Sequence, residues 1–110
     1  MNSEVRKYFS DILEAIISID NYLEGQNNFQ KYLENKMLRR AIERELEIIG
    51  EALNRIDKED KSIQIENKSK IISLRNRVIH GYDKVDNEII WGILKRHIPN
   101  LKDEIQKLIE

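Results

Sequence analysis

Val5, Phe9, Ile12, Ile16, Ile19 and Leu23 recur every three or four residues, laying a single apolar stripe along a helix from about Ser3 to Glu24. Leu38, Ile42, Leu46, Ile49 and Leu53 repeat the pattern from about Asn35 to Ile56, with Ala41, Ile48 and Ala52 widening the stripe. Neither run alternates with a period of two, so neither reads as a strand. A helix apolar along one stripe has to bury it against another element, and here the available partners are helices. The pattern predicts an all-α fold, an antiparallel bundle of four to five helices.

Local signals divide the rest of the chain. Ser3 is the expected cap of the first helix, and Gly25 with Asn27 and Asn28 marks its end. A short helical piece is expected around Phe29 to Leu33. Gly50 lies inside the second long run, where glycine costs about 1 kcal/mol relative to alanine, and a close helix–helix approach would account for it. Arg44, Glu47 and Glu51 fall on one polar side, read as intrahelical ion pairs, with Glu47 and Glu51 also candidates to support functional residues from behind. Asp57 to Lys68 is a charged connection without a period. A third helix is predicted from Asn67 or Ser69 to His80, buried through Ile71, Ile72, Leu74 and Val78 or Ile79. Asp86 should cap a last helix, with Val85 and Ile90 in staple positions. Its stripe is Ile89, Ile93, Leu94, Ile98, Leu101, Ile105 and Leu108, interrupted by Pro99, so a kink or break is expected near His97. Trp91 in this apolar run reads as a packing residue, and His97 as a structural one.

The chemistry is concentrated in Arg75-Asn76-Arg77-Val78-Ile79-His80-Gly81-Tyr82. Arginine clamps phosphate with a fork of donors that stays charged at any working pH. Histidine can take and give a proton near neutrality. Arg75 and His80 are five apart, which on a continuing helix splays them by roughly 140°. Gly81 suits the left-handed position past a helix end, which would let His80 leave the register and swing towards Arg75. The negative end of the helix dipole there favours the imidazolium. Asn76, four residues before His80, is placed to orient the ring, and Arg77 to meet solvent or phosphate. Tyr82 adds a hydroxyl open to modification. The plainer alternative is a histidine that only caps a helix end.

Composition narrows the classes. One hundred and ten residues, 1–110, are expected to form one domain. There is no cysteine and there are two histidines, which argues against a disulfide framework or a structural zinc site; no metal or cofactor is expected. Without a long apolar stretch or a leader pattern, no membrane association and a cytoplasmic location are expected. Nineteen Lys and Arg oppose twenty Asp and Glu, for a formal charge of −1. Bulk charge therefore does not bind nucleic acid, and RNA would need a local patch, for which Arg75, Arg77, Lys84, Lys95 and Arg96 are available. The alternative for Lys95 and Arg96 is a solvated helical face.

Arg75, His80 and Tyr82 form an Arg-x4-His-x-Tyr motif that resembles that of HepT-like toxins, a branch of the HEPN superfamily. Asp11 to Ile16 is similar to that family's first helix, Glu47 to Ala52 to its second-helix signature, and Val85-Asp86 with Ile89, Ile90 and Trp91 to the start of its last helix. Two departures are visible: Ser73 stands where many relatives have Gly, and Ile63 to Lys70 lacks the Pro and Trp often found before the third helix. The resemblance implies a HEPN-like helical fold that dimerises and a metal-independent endoribonuclease acting on RNA, the toxin of a type VII toxin–antitoxin pair. Arg75 and His80 would be catalytic, with Asn76 and Arg77 supporting. A minimal nucleotidyltransferase antitoxin would silence the toxin by AMPylating Tyr82, in a homodimer or a higher oligomer with the antitoxin. The competing readings are a catalytically inactive partner that serves the nucleotidyltransferase as acceptor, and a plain helical dimerisation module.

Overall fold

The computed structural model describes residues 1–73 and 86–110, and in these the chain is helical with no strand. The complete helices are α1 (Ser3–Leu23), α2 (Phe29–Glu34), α3 (Lys36–Glu59), α4 (Asn87–Arg96) and α5 (Ile98–Ile109). Residues 68–73 are also helical and close the first described stretch.

The helix starts are set by asparagine and aspartate. Asn2, not Ser3, caps α1: its side-chain oxygen accepts from the Val5 amide at 2.8 Å, and Ser3 is already the first helical residue. Asn28 and Asn35 cap α2 and α3 in the same way, three residues ahead of the donor. The carboxamide oxygen satisfies one of the amides that a helix start leaves without a partner. Asp86 caps α4 as its sequence suggests, accepting from Glu88 and Ile89. Val85, the other half of the expected staple, and Leu74, Val78 and Ile79 lie outside the described residues. Glu24 (φ 50°) and Gly25 (φ 75°) end α1 in left-handed geometry. α3 continues three residues past Ile56, because Asp57, Lys58 and Glu59 carry on the helix after its apolar stripe stops. The expected interruption at Pro99 is a break: His97 ends α4, and the proline sits in the first turn of α5, where its missing N–H has no intrahelical partner to lose.

The α1–α3 pair is the spine. Tyr22 near the end of α1 donates to Glu45, while Tyr8 near its start lines one groove with Arg55 late in α3, so the two helices run antiparallel. Phe9, Ile12, Ile16 and Ile19 on α1, and Ile42, Leu46, Ile49, Leu53 and Ile56 on α3, are each at most 2% exposed. At roughly 1.5–3 kcal/mol per buried large apolar side chain, this seam is the largest stabilising contribution among the described residues. Leu101 and Ile105 of α5 join the same core, as does Ile71 from the helical turn 68–73. Gly50 is buried inside α3. Ile89 and Leu108 depart from the expected stripe; each is 38% exposed.

α4 is held by an aromatic cluster. Trp91 lies 5.8 Å from Phe29 and 5.2 Å from Tyr32 between ring centroids, consistent with a packing role. Tyr32 is fully buried, and burial together with nearby Glu43 pushes its phenol well above the ordinary range. Lys95 places its ammonium 4.6 Å from the Trp91 ring centre and donates to the Gln26 carbonyl at 3.3 Å. These contacts tie α4 to the loop after α1 and leave Lys95 engaged within the fold.

Two features of this framework are open to direct measurement. Lys68 bonds to Asp57, joining residues 68–73 to the end of α3, and this bond holds the Asp57 carboxyl below its ordinary value of 3.8. A carboxyl whose pKa is depressed on folding adds stability at higher pH and loses it as pH falls through the depressed value. The melting temperature of wild type should therefore exceed that of Asp57→Asn at neutral pH, with the gap closing in acid; a gap independent of pH would contradict the pair. Gly92 sits in the middle of α4, and a methyl group there would meet no atom of the described residues within 4 Å. Gly92→Ala should stabilise the protein by about 0.5–1 kcal/mol in urea unfolding, the ordinary helix-propensity difference.

Candidate functional site

Arg75, Asn76, Arg77, His80 and Tyr82 lie outside the described residues, as does Lys84. The structure defines the frame to which their segment is attached. Residues 74–85 begin after Ser73 and end before Asp86, and both of these flanking residues line one cleft of about 660 Å³, open along its side.

Among the described residues the cleft has two walls, and helical spacing explains each. Ser69, Lys70 and Ser73 come from residues 68–73, at positions that share a face one turn apart. Ile89, Gly92, Ile93 and Arg96 come from α4 at the three- and four-residue intervals of one helix face. His97 completes the far end, at the break before α5, and Asp86 and Glu88 stand at the near end. Ile89, exposed where its stripe suggested burial, faces this cleft. The Asp86 carboxylate is engaged by the Glu88 and Ile89 amides. Glu88 complements the positive end of α4. Lys70 and Arg96 are exposed and, among the described residues, form no ion pair. Four other cations are engaged along their own helix or against a neighbour: Lys7 with Asp11, Arg40 with Glu43, Arg55 with Glu51, Lys68 with Asp57.

Glu47 and Glu51 line a different groove, between α1 and α3, with Lys7, Tyr8, Ile48 and Arg55. Glu51 pairs with Arg55 at 2.9 Å, one turn towards the C-terminus. Tyr8 and Glu51 together hold the Arg55 guanidinium still more firmly in its charged form. Lys70 and Gly92 are absent from the candidates that the sequence offers. Grouping α4 by face would have found the second, since Ile89, Gly92, Ile93 and Arg96 fall on one side. Lys70 depends on the packing of residues 68–73 against the bundle. His97, structural by its sequence setting, ends α4 and also borders the cleft.

Comparison with known proteins agrees with this architecture. A solved structure of a tri-AMPylated HEPN toxin from Shewanella oneidensis, in complex with MNT antitoxin, superimposes with a TM-score of 0.75, covering 99% of this chain and 98% of that one at 16% sequence identity. At that identity the likeness establishes the fold, HEPN-like and all-α. A protein of Thermococcus cleftensis named "Probable ribonuclease HepT" is 34% identical over 109 residues, covering 98% of both chains. The family model described as "Ribonuclease HepT-like" matches residues 12–108. With the family matched across nearly its whole length, this chain belongs to the HepT-like ribonucleases.

Proposed function

We propose that this protein is the toxin of a toxin–antitoxin pair, a metal-independent endoribonuclease that acts through Arg75 and His80. The observation that carries the reading is the Arg75-x4-His80-x-Tyr82 motif in a chain of the HepT-like ribonuclease family. In the proposed reaction a ribose 2′-oxygen attacks the adjacent phosphorus and the bond to the 5′-oxygen breaks. His80 takes the proton from the 2′-hydroxyl, and Arg75 stabilises charge developing on the phosphate oxygens. The leaving 5′-oxygen also needs a proton. A two-fold dimer supplies a second His80 as the acid, so the chemistry and the family resemblance both favour a homodimer. The products are a 2′,3′-cyclic phosphate and a 5′-hydroxyl. Asn76 orients the imidazole and Arg77 contacts phosphate.

Silencing runs through Tyr82. AMP transferred to its hydroxyl by a partner nucleotidyltransferase adds negative charge and bulk two residues from His80, and both oppose an incoming RNA phosphate. The solved toxin with the same fold is itself AMPylated and bound to its antitoxin, which supports this partner class.

Positioned acid–base groups contribute about 10²- to 10⁴-fold. His80→Ala should lower cleavage of RNA by at least about 10²-fold while circular dichroism and melting stay as in wild type; an unchanged rate removes His80 from the mechanism. Tyr82→Phe should retain cleavage and resist a cognate nucleotidyltransferase with ATP, and mass spectrometry placing AMP on another residue would refute the assignment.

A further inference from the structure

We infer that the cleft between residues 68–73 and α4 is a track for single-stranded RNA, with Lys70 and Arg96 contacting backbone phosphates and Gly92 letting the strand approach the helix. This rests on the ribonuclease reading and adds where the substrate lies beyond the scissile linkage. Three independent features meet in the cleft.

The first is available charge. The chain is close to neutral overall, so a polyanion has to be held by individual exposed cations; the cleft lining carries two, against Glu88 and an Asp86 carboxylate already engaged by backbone amides. Lys70 and Arg96 stand on opposite walls, exposed and without ion pairs among the described residues. Lys95, adjacent to Arg96, is by contrast occupied by Trp91 and Gln26. The second is Gly92. A glycine in mid-helix weakens the helix, and here no atom of the described residues within 4 Å requires the missing side chain. The space over it faces the cleft, where a ligand backbone gains from close approach to the helix. The third is continuity. Both residues that flank the motif segment line this cleft, and an open-sided groove passes a chain where a closed pocket holds a single small molecule.

The acidic groups set the direction. Asp86 and Glu88 stand at the N-terminal end of α4, and Arg96 and half-buried His97 at its C-terminal end. Removing Glu88's charge should therefore strengthen binding while removing Lys70 or Arg96 weakens it.

The test is fluorescence anisotropy of a labelled single-stranded RNA with the full-length His80→Ala protein, so that binding is read without cleavage. Lys70→Ala and Arg96→Ala should each weaken binding about 5- to 10-fold at low salt, and each should reduce the slope of log affinity against log salt by about 0.7. Arg96→Lys should recover most of the affinity, and Glu88→Gln should tighten binding. Gly92→Ala should bind more weakly although it melts higher, a split that a purely structural glycine would not produce. In parallel, the single substitutions in the wild-type background should raise KM and leave kcat nearly unchanged. Wild-type cleavage combined with unaltered affinity and salt slope in Lys70→Ala and Arg96→Ala overturns the track and leaves the nuclease standing. Absence of RNA binding and cleavage by every form overturns both.

Discussion

The apolar seam between α1 and α3 is the constraint on which the rest of the molecule depends. Nine large side chains on two antiparallel helices are nearly or wholly removed from water there. The seam fixes the far end of α3, and through Asp57 and Lys68 that end fixes the turn that leads into the motif segment. It also fixes α2, whose Phe29 and Tyr32 carry Trp91 and so set the position of α4 on the other side. The attachment points of the motif segment, Ser73 and Asp86, are thus placed by two separate branches of one core.

Different residue types stabilise the chain and equip it for its proposed activity. The seam, the aromatic cluster and the caps use isoleucine, leucine, aromatics, asparagine and aspartate. The motif and the cleft use arginine, lysine, histidine and a glycine that the fold itself does not need. Gly92 shows the separation most clearly: alanine would suit the helix better, and the space over it opens to the cleft.

Much of the architecture is legible in the residues alone, because a 3.6-residue apolar period over twenty positions has one interpretation. The cap at Asp86, the break at Pro99 and the short helix after Asn28 follow from equally local chemistry. Where structure and linear pattern differ, the reason is physical. Ser3 and Asn2 are both good caps, and only the backbone geometry decides that Asn2 reaches the Val5 amide. The apolar stripe of α3 stops at Ile56, yet a helix persists while its solvent-facing residues still bond backward. Lys95 reads as available for phosphate because its partners are remote: Gln26 is 69 positions away, although Trp91 one turn earlier is a visible hint. The motif is conspicuous in sequence and the cleft is not, since residues 68–73 and α4 come together to line it only through packing.

A guanidinium and an imidazole that carry out an internal transesterification leave a chemical signature on the RNA. End-group analysis of fragments produced by the purified protein in excess chelator reads that signature most directly. Each cut should leave a 2′,3′-cyclic phosphate on one side and a 5′-hydroxyl on the other. Fragments bearing 5′-phosphate and 3′-hydroxyl ends, or RNA left intact, would contradict the proposed chemistry.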